Sequence, residues 1–419
     1  MSEVLRVRGG KALKGEVWVS GSKNASVALI PACILADSPS TIDNLPDIDD
    51  VYCLIDILRW LGADVTFKNG VMTVDPRGIN KNDPPESLVR RIRASYYLVP
   101  TLMGRLGSAV VPMPGGCSIG NRPIDQTIKG LEALGAVVDT DGGIIKAKKS
   151  ENYYGSEVFL DMPSVGATIN TMLAAVTAKG RTFIHNAAKE PHIVDTANFL
   201  SSMGAKIKGA GTDVIRIDGG LPLHGSNYTV IPDQIETGTL MIAAAATRGD
   251  VILRGTIPTH MESLTAKLLE MGVYVTDEDD IIHVQAQGNL RAINLTTQVY
   301  PGFPTDLQQP LTAMLSTAWG RSTVNETIFE SRFGYVSELK RMGANITVDG
   351  RIATIDGVEK LRPCPLRALD LRAGAAMVVA ALMANGVSDI SGTQFLQRGY
   401  EHLDEKLRAL GGDVEYITI

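Results

Sequence analysis

Cysteine and histidine are both scarce in this 419-residue chain, and neither residue type has the spacing that is typical of a disulfide framework or a metal site. The four cysteines, Cys33, Cys53, Cys117 and Cys364, are far apart and form no C-x-x-C pair, so neither a disulfide framework nor a zinc site is expected. The six histidines never stand three or four residues apart, the spacing at which two imidazoles on one helix bind a metal. We therefore expect no metal site, and Cys33 and Cys53, in apolar helix-like patterns, are expected to be core thiols.

Long apolar runs and an excess of basic charge are also lacking. The longest apolar run, AAMVVAALMA at 375–384, is too short to span a bilayer, and the N-terminal segment lacks the apolar core of a signal peptide. The net charge is −6 with acidic and basic residues interspersed, which argues against a nucleic-acid partner and a polybasic membrane anchor. With 44% hydrophobic residues, the chain is predicted to be a cytoplasmic globular protein of more than one domain.

One short phrase recurs six times along the chain. Its forms are LGADV, LGAVV, MGAKI, MGVYV, MGANI and LGGDV, with the glycine at 62, 135, 204, 272, 343 and 411, so successive copies are about 70 residues apart. Each phrase ends an amphipathic run and opens an alternating one, which predicts a helix closed by glycine and then two strands. A second run in every unit, such as NASVALIPACILA, is apolar nearly all round and predicts a buried inner helix.

Such α/β modules cannot bury their apolar surfaces alone, so we expect two clusters of three, that is, two domains with a cleft between them. Polar or small residues precede each inner helix, and Lys23, Arg93 and Arg372 stand at three of these starts. A cation at a helix N-terminus opposes the helix dipole, which favours anions there by about 0.3 to 1 kcal/mol. Each of the three could be a solvated cap, but their repetition favours a multiply anionic ligand.

The segment MPGGCSIGNRP, residues 113–123, places Cys117 among Gly115, Gly116 and Gly120. A buried structural thiol is expected among apolar neighbours, whereas these glycines supply a mobile backbone with little to pack against. Taken alone, the segment leaves open a surface turn with an incidental cysteine.

Several motifs occur in order along nearly the whole chain: GSKNA, RASYYLVP, PGGCSIGNRPID, PSVGAT, PDQIETGT, GFPTDLQQP, FESRF and QRGYEHLDEKL. Together they resemble the enolpyruvyltransferase superfamily. The resemblance implies an α/β fold of two inside-out barrels with three repeats each, which matches the six repeats. It also implies that the chain crosses between domains twice, so that residues 1–22 and 232–419 form one domain and 23–231 the other.

The reaction that the resemblance implies is transfer of the enolpyruvyl group from phosphoenolpyruvate to the 3′-hydroxyl of UDP-N-acetylglucosamine, with release of phosphate. It proceeds by addition and elimination, needs no cofactor or metal, and is the first committed step of peptidoglycan biosynthesis. Transfer to shikimate 3-phosphate or to another nucleotide sugar stays open as an alternative. So does a catalytically silent paralogue that binds a UDP-sugar as a regulatory protein.

The resemblance further implies roles for particular residues. Positions that hold phosphoenolpyruvate in the family match Lys23, Asn24, Arg122 and Arg398. Positions that contact the nucleotide sugar match Arg93, Arg122, Pro123, Ile124, Asp125, Gln126, Ser164, Val165, Gly166, Asp306 and Ile328. The sequence departs from the family's common pattern at Asn121 and Thr127.

Two of the matched residues carry the implied chemistry. Asp306, in GFPTD, matches the base that accepts a proton from the sugar hydroxyl, and the alternative is an N-cap aspartate, which need not exclude catalysis. Cys117 matches the proton donor to C3, which implies that its glycine-rich segment is a lid. For Arg332 and Arg372, ligand contact and pairing between domains are both open.

Overall fold

The computed structural model describes residues 3–115 and 123–418, which form two compact units of mixed α/β structure. Unit 1 runs through Ser20 and resumes at Pro232, and unit 2 comprises the described residues between them. Gly21 and Ser22, which the sequence-based boundary places in the first domain, fall in unit 2.

Unit 1 opens with β1 (Glu3–Gly9) and β2 (Lys14–Trp18). The helices of unit 2 are α1 (Lys23–Ala32), α2 (Asp49–Leu61), α3 (Glu86–Val89), α4 (Leu98–Leu106), α5 (Asp125–Ala133), α6 (Val165–Ala175) and α7 (Pro191–Ser202). Its strands are β3 (Ser40–Asp43), β4 (Asp64–Lys68), β5 (Val71–Asp75), β6 (Ser108–Pro112), β7 (Ala136–Asp139), β8 (Ile144–Lys149), β9 (Glu157–Phe159), β10 (Gly180–His185), β11 (Lys206–Lys208), β12 (Val214–Gly219) and β13 (Asn227–Thr229). Short 3-10 helices lie at Cys33–Leu35, Pro76–Gly78, Arg93–Tyr97 and Asp141–Gly143.

The remaining elements belong to unit 1. Its helices are α8 (Gln234–Ala246), α9 (Glu262–Glu270), α10 (Thr305–Leu315), α11 (Val336–Arg341), α12 (Leu371–Met383), α13 (Thr393–Leu396) and α14 (Leu403–Ala409), with a 3-10 helix at Pro258–Met261. Its strands are β14 (Asp250–Arg254), β15 (Tyr274–Glu278), β16 (Ile281–Gln285), β17 (Asn294–Thr296), β18 (Arg321–Asn325), β19 (Asn345–Asp349), β20 (Ile352–Asp356), β21 (Leu366–Arg367), β22 (Gly386–Ser391) and β23 (Asp413–Thr418).

Five sheets share one arrangement, in which an edge strand pairs in parallel with its neighbour and the next two pairs are antiparallel. Their orders are β13-β3-β5-β4 and β9-β10-β12-β11 in unit 2, and β21-β22-β1-β23, β2-β14-β16-β15 and β17-β18-β20-β19 in unit 1. The sheet β6-β8-β7 has three strands within the described ranges, and the carbonyl of Asn82 accepts a further bond from the N–H of Val110 on β6 at 2.8 Å. The predicted repeats, three to each unit, are thereby confirmed.

The inner helices are α1, α4 and α6 in unit 2 and α8, α10 and α12 in unit 1. Burial is continuous from Ile235 to Ala246 in α8 and from Leu371 to Leu382 in α12, as the all-round apolar runs predict. Within each unit the three helices lie in one hydrophobic core, and the two cores share no residue. Cys33 and Cys53 are core thiols as expected, and burial raises the pKa of Cys33 to about 12.

The amphipathic outer helices α2, α5, α7, α9, α11 and α14 each precede one of the six repeated glycines. All six glycines have positive φ, from 82° at Gly411 to 108° at Gly62, which is the left-handed conformation that ends a helix and that residues with a Cβ adopt only under strain. The predicted sequence of helix, glycine and strand is therefore confirmed in every repeat.

Side chains cap most of the inner helices. Ser22, Ser164, Asp233 and Asp370 are the N-caps of α1, α6, α8 and α12, and each accepts a hydrogen bond from a backbone N–H of the first turn. The polar clusters before the inner helices therefore fix where those helices begin.

Candidate active site

In unit 1 the carboxylate of Asp306 is held by two arginines. Oδ1 lies 2.7 Å from Nη2 of Arg332, and Oδ2 lies 3.0 Å from Nε of Arg372. The side chain of Asp306 is 28% exposed, whereas those of Arg332 and Arg372 are 2% and 5% exposed. Each oxygen of the carboxylate therefore accepts from a different guanidinium group, and these two charge-assisted bonds fix its orientation.

Arg372 also joins the starts of the three inner helices of unit 1. Its guanidinium lies 5.3 Å from the ring centroid of Tyr400, whose hydroxyl is 2.9 Å from Oγ1 of Thr239 on α8. Burial alone would lower the pKa of Arg372, but Tyr400 and the carboxylates of Asp306 and Asp233 raise it above its usual value. Arg372 on α12 is therefore fully charged and interacts with residues at the first turns of α10 and α8.

Arg398 follows α13 on a segment anchored at several points. Thr393 Oγ1 and Gln397 Nε2 both donate to Oε1 of Glu3 at 2.9 Å, and the N–H of Tyr400 donates to the carbonyl of Leu396 at 3.0 Å. Arg398 itself is half-buried. The strand β1 therefore helps to position the segment that carries this cation.

Ile328 lies on the segment after β18 and is half-buried. Its N–H donates to Oε1 of Glu326 at 2.9 Å, and Glu326 itself is 1% exposed. Motif comparison assigned no role to Glu326, because a single glutamate after a strand is typical of a surface position.

In unit 2 the first residue of α1, Lys23, pairs with a carboxylate at the start of α2. Its Nζ lies 3.2 Å from Oδ2 of Asp50, and the two side chains are 16% and 3% exposed. Asn24, the next residue on α1, is half-buried. Asp50 was not found from the sequence, because nothing in its local pattern separates it from the neighbouring Asp49.

Arg93 and Gly166 are brought together by Tyr96, which sequence reasoning left without a role. The guanidinium of Arg93 lies 5.7 Å from the ring centroid of Tyr96, and burial lowers the pKa of Arg93 from its usual value. A Cβ added to Gly166 would lie 1.7 Å from the hydroxyl oxygen of Tyr96. Ser164 caps α6 by accepting from the N–H of Ala167 at 3.3 Å. The start of α6 and the 3-10 helix Arg93–Tyr97 therefore form one packed group, with Val165 half-buried beside it.

Gln126 links the start of α5 to the segment that leads to α6. Its Nε2 donates to Oδ2 of Asp161 at 2.9 Å, and its Oε1 accepts from the N–H of Asp161 at 2.8 Å. Lys129 and then Gln126 lower the pKa of Asp161 through their hydrogen bonds. Near Gln126, Pro123 and Asp125 are exposed and Ile124 is buried.

Cys117 and Arg122 lie outside the described residues, as do Gly116, Gly120 and Asn121. Thr127, the other departure from the family's pattern, is buried on α5.

Two interpretations from the sequence need correction. Asp306 is not an N-cap, because α10 is capped at Pro304 and Asp306 is the helix's second residue, with its oxygens on arginines. The second concerns the cations at helix starts, for which the sequence favours an external anion. Protein carboxylates already face two of them, namely Asp50 at Lys23 and Asp306 at Arg372, and the latter pairing lies inside unit 1.

Across residues 3–115 and 123–418, no cluster of three histidine, cysteine, aspartate or glutamate side chains is arranged to hold a metal ion. A search of the described helices found none long and apolar enough to cross a membrane.

The fold of two three-repeat units is shared with known enolpyruvyltransferases. The enolpyruvyl transferase NikO from Streptomyces tendae aligns with a TM-score of 0.89 and 27% identity, covering 100% of this chain and 99% of its own. The structure of EPSP synthase from Acinetobacter baumannii aligns with a TM-score of 0.77 over 100% of both chains, and at 21% identity it shows the fold alone.

Sequence comparison shows which family of enolpyruvyltransferases this chain resembles. The family model for EPSP synthase (3-phosphoshikimate 1-carboxyvinyltransferase) matches residues 7–407. A relative from Caldanaerobacter subterraneus subsp. tengcongensis, named UDP-N-acetylglucosamine 1-carboxyvinyltransferase 3, is 53% identical over 97% of this chain and 98% of its own. One from Bacillus subtilis, named UDP-N-acetylglucosamine 1-carboxyvinyltransferase 2, is 53% identical over 98% and 96%. The chain therefore belongs to the EPSP synthase family of enolpyruvyltransferases, which confirms the family predicted from its motifs.

Proposed function

We propose that this protein transfers the enolpyruvyl group of phosphoenolpyruvate to the 3′-hydroxyl of UDP-N-acetylglucosamine and releases phosphate, the first committed step of peptidoglycan biosynthesis. The observation that carries the proposal is the partly exposed carboxylate of Asp306, held by two buried arginines. The acceptor is supported by the names of relatives that are 53% identical over nearly the whole chain.

Asp306 acts as the base in the addition step. The 3′-oxygen forms a bond to C2 of phosphoenolpyruvate while its proton passes to an oxygen of Asp306, and Cys117 delivers a proton to C3. The product is a tetrahedral ketal. In the elimination step C3 returns a proton to the thiolate of Cys117 and the bond between C2 and the phosphate oxygen breaks. Phosphate leaves with the bonding electrons and takes up the proton held by Asp306, so both groups return to their starting states. The role of Cys117 rests on the family resemblance, since it lies outside the described residues.

Arg332 and Arg372 act on the base rather than on the ligand. Because both guanidinium groups contact Asp306 and are nearly inaccessible to solvent, we assign them the role of holding the carboxylate ionised and in one orientation. A base must be ionised to accept a proton. A carboxylate that is held in one orientation also lowers the entropic cost of reaching the reactive geometry.

The anionic groups of phosphoenolpyruvate are assigned to Lys23, Asn24, Arg122 and Arg398. Lys23 is the first residue of α1, so the N-terminal end of that helix adds to the attraction for phosphate. The nucleotide sugar is assigned to Arg93, Pro123, Ile124, Asp125, Gln126, Ser164, Val165 and Gly166 of unit 2, together with Arg122 and with Asp306 and Ile328 of unit 1. Neither set includes a cofactor or metal ligand.

We further propose that units 1 and 2 are the two domains of the family, with the crossings near Ser20 and Pro232. The reaction consumes two anionic metabolites of the cytoplasm, and we therefore assign the protein to that compartment. Because the net charge is −6, we assign it no nucleic-acid partner.

The deciding experiment is to measure phosphate release from phosphoenolpyruvate with different acceptors. We expect release with UDP-N-acetylglucosamine and none with shikimate 3-phosphate or without acceptor. Release with another acceptor alone would replace the proposed substrate. Binding of UDP-N-acetylglucosamine without any phosphate release would favour a regulatory UDP-sugar-binding protein instead.

A further inference from the structure

Glu326 is a buried carboxylate that connects two parts of unit 1. Its Oε2 accepts from Oγ1 of Thr305 at 2.8 Å, and its Oε1 accepts from Oγ1 of Thr297 at 3.0 Å. The same Oε1 accepts from the backbone N–H groups of Ile328 at 2.9 Å and Phe329 at 3.2 Å. One carboxylate therefore joins the start of α10, the end of β17 and the segment after β18.

No ion pair of Glu326 is found within the described part of the chain, although only 1% of the residue is exposed. A buried carboxylate without a counter-ion is costly unless hydrogen bonds replace its hydration. Here two hydroxyl groups and two backbone N–H groups supply those bonds. A glutamine or a hydrophobic side chain would fill the same space without this cost, so a purely space-filling role does not explain the charge.

One of the four bonds of Glu326 reaches the residue beside the proposed base. Thr305 immediately precedes Asp306, and the first turn of α10 has no side-chain cap because its N-cap is Pro304. The bond from Thr305 to Glu326 anchors that turn instead. Arg332 and Arg372 fix the side chain of Asp306, whereas Glu326 fixes the backbone from which it projects.

Glu326 also determines which backbone group of Ile328 is available to a ligand. Since the N–H of Ile328 already donates to Glu326, the residue presents its carbonyl oxygen and side chain. Loss of the carboxylate would release this N–H and the segment that carries it.

We propose that Glu326 is a positioning residue that holds Asp306 and Ile328 in fixed relation for attack by the acceptor hydroxyl. The inference rests on the proposed function. It predicts that perturbing Glu326 lowers kcat and raises the KM for the acceptor, with little change in the KM for phosphoenolpyruvate.

The first test compares two variants of the Glu326–Thr305 pair in the full-length enzyme. Glu326→Met keeps the length of the side chain and removes all its acceptors, and we expect kcat/KM for UDP-N-acetylglucosamine to fall about 100-fold, the usual penalty for a misplacement of about 1 Å. Thr305→Val keeps the shape and removes one hydrogen bond to a charged group, and we expect a fall of about 10-fold. The KM for phosphoenolpyruvate should change less than about threefold in both.

Three controls separate positioning from general damage. Thr305→Ser keeps the hydroxyl and should restore nearly wild-type kinetics. Asp356→Asn removes an exposed carboxylate from β20, the neighbour of β18, where it pairs with Arg321 at 2.7 Å, and should leave the kinetics unchanged. In the double variant Thr305→Val with Glu326→Met, the losses should be less than additive because both changes remove the same bond.

Thr305→Val decides the matter if Glu326→Met fails to fold. Unchanged kcat and KM in Thr305→Val, with an active wild type, would overturn the positioning role. A rise in the KM for phosphoenolpyruvate as large as the rise in the KM for UDP-N-acetylglucosamine would also overturn it, because the loss would then not be specific to the acceptor. A wild-type enzyme that releases no phosphate with UDP-N-acetylglucosamine would instead overturn the proposed function, and this inference with it.

Discussion

The starts of α10 in unit 1 and α1 in unit 2 show the same design with opposite charges. In unit 1 the partly exposed group is the carboxylate of Asp306, and its partners Arg332 and Arg372 are buried. In unit 2 the more exposed group is the ammonium of Lys23, and its partner Asp50 is buried. In each of these pairs, the group that is more accessible to solvent is oriented by a buried partner of opposite charge.

The difference suits the two halves of one reaction. A partly accessible carboxylate can accept a proton, whereas a partly accessible ammonium can pair with a phosphate. The buried partners differ in kind, since arginines contact Asp306 whereas a carboxylate, Asp50, pairs with Lys23. Cations are therefore concentrated at the starts of these inner helices, although the net charge of the whole chain is −6.

The largest effect is expected from Asp306→Asn, which removes the charge presented by unit 1. The amide cannot accept a proton as a carboxylate does, and its NH2 group would face one of the two guanidinium groups. We expect kcat to fall about a thousandfold while UDP-N-acetylglucosamine stays bound. Phosphate release and calorimetric titration would measure the two quantities. Normal turnover would remove Asp306 from the mechanism.

Lys23→Met removes the charge presented by unit 2, and its effect should fall on the other substrate. We expect the KM for phosphoenolpyruvate to rise about 100-fold, because a charge-assisted contact to phosphate is lost. Asp50→Asn removes only the hidden partner and should raise this KM by less than about 10-fold. Steady-state kinetics of both variants would check the order, and a larger effect for Asp50→Asn would contradict the comparison.

Cys117→Ser tests the proposed proton donor, which lies outside the described residues of both units. Serine keeps the shape but holds its proton far more tightly, so transfer to C3 should slow and turnover fall about 100-fold. The binding of UDP-N-acetylglucosamine serves as the control and should be unchanged. Phosphate release near the wild-type rate would exclude the thiol as the proton donor.

The repeats could be predicted from sequence because their signals are local. The six glycines and the apolar inner runs each report the conformation of a few adjacent residues, and all six glycines have the left-handed backbone that ends a helix. The charge pairs could not be predicted. Asp306 contacts residues 26 and 66 positions away, and only the packing of α10 against α12 brings Arg372 to it.

Tyr96 and Glu326 show the same limit within the site. Tyr96 is part of a family motif, but its role depends on the missing Cβ of Gly166, which belongs to a different repeat. Glu326 acquires its function from four donors on three segments. Sequence motifs predicted residues that face a ligand, and the structure shows side chains that hold some of these residues in place.

Gly166→Ala should have a smaller, acceptor-specific effect in unit 2. The added methyl group would lie 1.7 Å from the hydroxyl oxygen of Tyr96, so the ring must move and Arg93 must follow it. We expect the KM for UDP-N-acetylglucosamine to rise about 10-fold with little change for phosphoenolpyruvate. Gly334→Ala in unit 1 is the matched control, because its Cβ would meet nothing closer than 3.9 Å. Equal effects in the two variants would contradict the expected clash.

The smallest effect concerns a carboxylate of unit 2 that, unlike Asp306, accepts only from neutral donors among residues 3–115 and 123–418. Asp195 is 1% exposed, and burial raises its pKa to about 6, although bonds from the hydroxyl of Tyr228 at 2.6 Å and the N–H of Ile231 oppose the shift. Because the folded-state pKa lies above the unfolded value, its contribution to stability is complete below about pH 4 and is lost as the pH rises through about 6. Asp195→Asn stays neutral, so its stability relative to wild type should rise by about 1 kcal/mol between pH 5 and 7.5. Urea unfolding at both pH values would measure this difference, and a constant difference would show that Asp195 does not titrate in that range.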